Sequence, residues 1–401
     1  MTNHIASIKT IRTAIQSLVD NGNIKAFIAA TGAGAGIVNM IWQTPGCSSL
    51  LMGFNFPYNQ SQLADFIGYS PKSACSEDTA IAMAQAAYFK AQESAHDRGD
   101  LAKKGVQCIG IGLTAAAETN RQLKGGTRFF VAMRADSAIL AIKFTLQQGL
   151  LGRSGDGQVC DIAILNMMLL AMAVHNPVKL IPIYYRTLGI THDGAPTSGQ
   201  NLALPRNIQL KDPLSSFHDM MLIEKNGKTK IVDNLDPQKH IIFPGSFNPA
   251  HFGHIKLARL VEEISGREVV FEISATNIDK ETIDIKELQK RALLLRGVAP
   301  AIISRNTPLF IQKIKTYNGC DFLVGIDTLK RIFDRTHYHD AALHYSQEYT
   351  KFYVSSRIIN GREESLKDLM YDYIHYQDRY KYIPIHSPKN ISSTELRATQ
   401  Q

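Results

Sequence analysis

The sequence predicts an α/β protein built as two domains in series, and three observations carry that expectation. The chain has 401 residues, too long for one ordinary hydrophobic core, so two domains and a connector are the natural division. Two stretches, 25–42 and 240–264, each run from an apolar strand through a glycine-bearing turn into a helix. From His240 onward strand and helix patterns alternate, which implies a parallel sheet with helices on both faces. The expected division is 1–175 for the first domain, 176–238 for a connector with a small β-hairpin, and 239–401 for the second domain.

Composition narrows the function classes. Hydrophobic residues make up 44% and charged residues 20%, ordinary values for a globular chain. A formal charge of +8 suits anionic ligands such as nucleotides without requiring nucleic acid, because no run of five or six Lys/Arg residues forms a basic tail. Cys47, Cys75, Cys108, Cys160 and Cys320 contain no C-x-x-C pair and are odd in number, which argues against a disulfide framework and a cysteine zinc site. No metal site is expected from the protein itself. The N-terminus lacks a signal-like segment, and the apolar run Ile162 to Val174, broken by Asn166, falls short of the roughly 18 residues that span a bilayer. The expectation is a cytoplasmic protein with no membrane or nucleic-acid partner.

Residues 4–20 show helical spacing through Ile5, Ile8, Ile11, Ile15 and Leu18, ending near Asn21-Gly22. Lys25 to Ala30 reads as a buried strand that enters Thr31-Gly32-Ala33-Gly34-Ala35-Gly36 and then apolar Ile37 to Trp42. Two readings stand for this loop: an anion or nucleotide site, or a tight turn with close helix packing. Ser76-Glu77-Asp78 opens a helix through Ala91, Cys108 to Leu113 is a strand, and Thr127 to Met133 with Ile139 to Leu146 reads as a hairpin turning at Arg134-Ala135-Asp136. Asp156 to Val174 is a further helix.

This succession resembles the CinA C-terminal domain, whose active members are nicotinamide-nucleotide amidases. The landmarks are Pro45-Gly46-Cys47-Ser48-Ser49, the strand before Tyr58, Leu63 to Gly68, the helix after Ser76, and Gly112-Leu113-Thr114-Ala115-Ala116. The family's nucleophilic serine falls on Gly32 and its lysine on or near Leu63, leaving Tyr58 and Thr31, so the resemblance implies a domain without amidase activity. Thr31, Gly32, Gly34, Gly36 and Tyr58 are the candidate ligand positions, and a homodimer through this domain is implied in the same way. Between the domains, Met221 to Glu224 and Thr229 to Val232 flank Asn226-Gly227, a hairpin signal.

The second domain opens on the strongest stretch of the chain, His240 to His254. Gly245 allows close backbone approach, the following helix offers unpaired N–H groups and its positive end, and His251 and His254 are spaced i, i+3. Two surface histidines would fit the same spacing. A helix from Ala250 to Ile264 is expected to bury Ile255, Leu257, Ala258, Val261 and Ile264. The strand Glu268 to Ser274 delivers Asn277, Asp279 and Lys280 to the carboxyl edge, where such sheets bind ligands. A helix Ile285 to Leu295, a strand Ala301 to Ser304 and the helix carrying Lys313 follow. The strand Asp321 to Ile326 ends in Gly325-Ile326-Asp327-Thr328, where Asp327 either caps the next helix or reaches a ribose. Strands at Phe352 to Arg357 and Tyr382 to Ile385 complete the pattern. Ile391-Ser392-Ser393-Thr394-Glu395-Leu396-Arg397 then places hydroxyls one turn before an arginine at a helix start.

Gly245-Ser246-Phe247-Asn248-Pro249-Ala250-His251-Phe252-Gly253-His254 resembles the HxGH signature of the nucleotidyltransferase superfamily. Together with Ile391-Ser392-Ser393-Thr394 and Arg397 it is similar to nicotinamide or nicotinate mononucleotide adenylyltransferases. The resemblance implies a Rossmann-like domain that moves an adenylyl group from ATP, with its Mg2+, to a phosphorylated pyridine mononucleotide. It implies His251, His254 and Arg397 as catalytic. It implies Gly245, Ser246, Phe247, Lys280, Gly325, Asp327, Ser392, Ser393 and Thr394 as nucleotide-binding. A transferase using CTP or another acceptor, and a nucleotide-binding protein that does not turn over, are the alternatives.

Overall fold

The computed structural model describes residues 7–119, 126–136, 138–146, 149, 151–173, 191–193, 220–275, 283–304, 307, 309–333, 350–359, 362–372 and 381–385. They divide into two compact units. Lys280, Ser392, Ser393, Thr394 and Arg397 lie outside the described residues.

The first unit begins with α1 (Ile8–Asn21), β1 (Ile24–Thr31), α2 (Gly36–Trp42), β2 (Leu51–Asn55), α3 (Gln60–Ile67) and α4 (Glu77–Asp97). It continues through β3 (Gln107–Ala116), β4 (Thr127–Arg134), β5 (Ile139–Leu146), α5 (Gly152–Ala173) and β6 (Thr191–Asp193). Its sheet runs β2-β1-β3-β4-β5-β6, parallel from β2 to β3 and antiparallel from β3 onward. Leu18 of α1, Ile37 and Ile41 of α2 and Met168 of α5 share one core with the sheet, whereas Leu63 of α3 and Met83 and Ala87 of α4 form another with Ala29. Gly110 and Gly112 let α4 lie directly on β3: a Cβ on Gly110 would come within 2.1 Å of the Ala84 carbonyl, and one on Gly112 within 2.2 Å of that of Ala80. By length and composition α5 could cross a bilayer, being longer than the run visible in the sequence, yet 72% of its most apolar window is buried within the protein.

The second unit comprises β7 (Met220–Ile223), β8 (Thr229–Ile231), β9 (His240–Pro244), α6 (Phe252–Ser265), β10 (Glu268–Ser274), α7 (Ile285–Leu293), β11 (Ala301–Ser304), α8 (Phe310–Thr316) and β12 (Asp321–Gly325). Then come α9 (Ile326–Phe333), β13 (Lys351–Ser355), β14 (Arg357–Ile359), β15 (Arg362–Glu364), α10 (Leu366–Asp372) and β16 (Lys381–Ile385). The sheet order is β16-β13-β12-β9-β10-β11-β7-β8, with the first six strands parallel. The hairpin predicted around Asn226-Gly227 is present, and Gly227 takes the left-handed conformation it needs, at φ +82°. Its first strand pairs antiparallel with β11, so these residues extend the second sheet where the sequence suggested a connector.

Ile242, Val270, Ile302, Phe322 and Phe352 build a core with Phe310 and Ile314 of α8 and Leu329 of α9. α6 and α7 pack along β10 and β11. The buried stripe of α6 holds Ile255, Leu257, Ala258 and Val261 as expected, but Ile264, in the last turn before the left-handed stop at Gly266, is 53% exposed.

Candidate nucleotide site

The chain leaves β9 at its carboxyl end and turns through Gly245 to Ala250 into α6. Gly245, expected among the nucleotide-binding residues, uses its amide within the sheet: its N–H donates to the Glu272 carbonyl at 3.0 Å. Its missing side chain is needed for another reason, since a Cβ there would lie 2.6 Å from Cζ of Phe247. Phe247, at φ +41°, folds back over the glycine in a backbone region uncommon for a large side chain. Its ring packs against Phe243, Phe271 and His254, with centroids 5.3, 4.7 and 5.1 Å away. The Ser246 carbonyl accepts from Arg291 Nη1 at 3.2 Å, and Arg291 Nε is held by Glu287 at 2.9 Å.

The two histidines are brought together. His251 is the extended residue immediately before α6 and is buried, and the ring centroids of His251 and His254 are 3.6 Å apart. The backbone N–H of His251 donates to His254 Nδ1 at 3.2 Å. An N–H can only donate, so Nδ1 carries a lone pair and the neutral ring holds its proton on Nε2. Burial, reinforced by the nearby charge of Arg357, pushes the His254 imidazole down to about 3, so it is neutral at physiological pH. The arrangement offers an oriented Nε2–H donor at the start of a 14-residue helix whose dipole favours anions.

Gly325 and Asp327 lie at the end of β12 and in the first turn of α9, at the same carboxyl edge. Asp327 is paired there with Arg357, a cation absent from the sequence-level site. The signal available for it was an arginine at the carboxyl end of a predicted strand. Glu272, Lys313, Ser274, Ser304 and Thr307 were also missed as a group. They form a buried hydrogen-bonded cluster at the ends of β10 and β11, beside the loop.

In the first unit the glycine-rich loop is explained by packing. A Cβ on Gly32 would fall 2.1 Å from the Ala115 carbonyl oxygen, one on Gly34 2.9 Å from Ile164 Cδ1, and one on Gly36 2.3 Å from Asp161 Oδ2. Asp161 Oδ1 accepts the Ile37 N–H at 2.9 Å, and Gly36 also donates to this carboxylate. The negative group at the start of α2 is therefore supplied by α5. Thr31 sits opposite Thr114 at the end of β1, Leu63 is buried, and Tyr58 is 75% exposed.

The cytidylyltransferase-like family matches residues 242–399. Parts of the chain are similar to solved structures of the CinA group. One is the competence/damage inducible protein CihA from Agrobacterium tumefaciens, at 15% identity over 41% of this chain and 96% of that one, with a TM-score of 0.33. Another is a competence-damaged protein (CinA) superfamily protein from Escherichia coli, at 12% identity over 41% and 90% of the two chains, with a TM-score of 0.29. A third, a protein of the same superfamily from Enterobacter cloacae, gives 12% identity over 43% and 98%, with a TM-score of 0.30. No curated protein matches the chain. The strand, the loop with its paired histidines and the helix fall within the span that is similar to the cytidylyltransferase-like family.

Proposed function

We propose that the chain transfers an adenylyl group from ATP to the phosphate of a pyridine mononucleotide, amidated or acidic, and releases pyrophosphate in the cytoplasm. The observation that carries this reading is the neutral, Nε2-protonated His254 beside His251 at the start of α6, inside the span of the matching family. An oxygen of the acceptor phosphate attacks the α-phosphorus of ATP. The bond to the bridging oxygen breaks, and pyrophosphate leaves with its electrons. The acceptor is already an anionic nucleophile, so catalysis consists of positioning and of stabilising charge on the oxygens around the α-phosphorus.

His254 donates from Nε2 to the region between the α and β phosphates, with His251 beside it. Ser246 and Phe247 offer backbone donors. By resemblance, Ser392, Ser393, Thr394 and Arg397 hold the β and γ phosphates, Lys280 a substrate phosphate, and Asp327 the adenosine. Magnesium travels with the triphosphate and no residue of the chain is assigned to it. In the same reading the first unit has no amidase activity and forms a homodimer.

The test is to incubate the full chain with ATP, magnesium and either mononucleotide and to follow pyrophosphate. Release that needs both substrates supports the reading. ATP binding without release from any nucleoside triphosphate would instead favour a sensor. The name of the matching family favours one rival, a CTP-dependent transfer, and a parallel reaction with CTP and phosphorylated alcohols distinguishes it.

A further inference from the structure

Two adjacent parallel strands deliver one ion pair to the carboxyl edge by the same geometry. Gly325 of β12 and Ser355 of β13 are register partners, and Asp327 and Arg357 each lie two residues beyond them. They therefore emerge side by side, and Arg357 Nη1 contacts Asp327 Oδ2. The other neighbour of β12 is β9, the strand that feeds the histidine loop. The charge of Arg357 is felt at His254.

This pair is open to exchange. Its side chains are 39% and 40% exposed, so water screens the attraction and little is lost when a better partner arrives. A polyphosphate is such a partner: it carries several negative charges, and a guanidinium fork binds phosphate oxygens in two parallel bonds. A carboxylate released in the same step is an acceptor for hydroxyl donors.

We propose that Arg357 is a polyphosphate-binding residue of the nucleotide site, held by Asp327 until the ligand's phosphates take it over and leave Asp327 to accept from the ribose hydroxyls. This inference rests on the nucleotidyl-transfer reading and adds to it a binding residue and an exchange of partners.

A purely mechanical role has a built-in control. Lys330, one turn beyond Asp327 on α9, pairs with Glu364, which faces Arg357 across the β14–β15 ribbon. Both ion pairs tie α9 to that ribbon, but only one includes the cation whose charge bears on His254. If the pairs only fasten the ribbon, breaking either should have similar effects.

The experiment measures binding of magnesium tripolyphosphate and magnesium ATP to the full chain by calorimetry, for the wild type, Arg357→Ala, Arg357→Lys, Asp327→Asn and Lys330→Ala. Arg357→Ala should weaken both ligands by about 10- to 100-fold, with Arg357→Lys between it and the wild type. Asp327→Asn should bind tripolyphosphate about two- to fivefold tighter, because the competing carboxylate is gone, and should gain less or lose with ATP. Lys330→Ala should stay within about twofold of the wild type for both probes. Unchanged tripolyphosphate affinity in Asp327→Asn, or equal losses in Lys330→Ala and Arg357→Ala, would overturn the proposal. If Arg357→Ala does not fold, Arg357→Lys and Asp327→Asn decide it. A wild type that binds neither probe overturns the transferase reading as well, whereas one that binds both while the variants match it overturns only this inference.

Discussion

The ammonium of Lys313 lies 2.9 and 2.8 Å from the two carboxylate oxygens of Glu272, a residue with no solvent exposure. Ser274 donates to the same carboxylate at 2.7 Å and Thr307 at 3.1 Å, and Ser304 donates as well. The backbone carbonyl of Glu272 receives the Gly245 N–H, so one residue joins the sheet interior to the start of the histidine loop. Lys313→Met leaves a buried carboxylate without its cation and should lower the unfolding free energy of the second unit by about 3–5 kcal/mol. The double variant Glu272→Gln, Lys313→Met should lose less than the sum of the single changes, measured by denaturant unfolding. A single-variant loss below about 1 kcal/mol would mean that the pair adds little.

His254 has two separable tasks, and two substitutions divide them. His254→Ala should lower pyrophosphate release by about two orders of magnitude or more and cost about 1 kcal/mol through the lost acceptor for the His251 N–H. His254→Asn supplies an amide oxygen near the Nδ1 position, so it should recover most of the stability and none of the turnover. Steady-state rates alongside thermal melts check this, and full activity in either variant rules out the assigned role.

The ionisation of His254 predicts a direction with pH. Its folded-state value, about 3, lies below the ordinary 6.5, so the unfolded chain binds the proton more readily. The stability gained by keeping the ring neutral is present in full above 6.5 and is lost progressively as pH falls from there toward 3. Melting curves across this window should therefore slope more steeply in the wild type than in His254→Asn. NMR of the ring nitrogens should show a neutral Nε2–H tautomer at pH 6.

Gly245→Ala tests the loop. The new methyl would meet the Phe247 ring, which is locked among Phe243, Phe271 and His254 and has little room to yield. A loss of about 1–3 kcal/mol is expected, with a larger proportional fall in turnover as His254 shifts with its neighbour. Wild-type stability in this variant would show that the loop adapts freely.

In the first unit, Gly36→Ala should drive the Asp161 carboxylate off the start of α2, at a cost of about 1–3 kcal/mol. Asp161 also sets a pH trend of opposite sign to that of His254. Burial raises its carboxyl to about 6, although its two amide bonds pull the other way, so the folded chain holds the proton longer than the unfolded one. Its contribution to stability should fall as pH rises from 3.8 to about 6 and level off above. Asp161→Asn should remove that slope in pH-dependent melts.

Much of the fold was readable because local patterns determine it. Strands Glu268–Ser274 and Ala301–Ser304 fall where short apolar runs rich in Val, Phe and Ile predicted them. The hairpin at Asn226-Gly227 was readable too, but its place in the sheet depends on pairing with β11, a contact between distant segments. The same limit hid the polar cluster. A glutamate inside the apolar run Val269 to Ile273 was a signal, yet its partner lies 41 residues on. Arg357 and Asp327 are 30 residues apart and meet only once the register of β12 and β13 is known. The histidine pair could be read because it is local. The use of Gly245 could not, since the ring that fills its vacant space arrives by a backbone conformation uncommon for phenylalanine.

Asp161 gives the glycine-rich loop of the first unit a tethered occupant. The carboxylate and the amide of Ile37 are 124 residues apart in sequence, so this contact can form only when the unit folds, and folding fills the loop. A phosphate or carboxylate from solution would have to compete with a group that belongs to the same molecule and is present at high effective concentration. The first unit thus behaves as a lock closed by its own key.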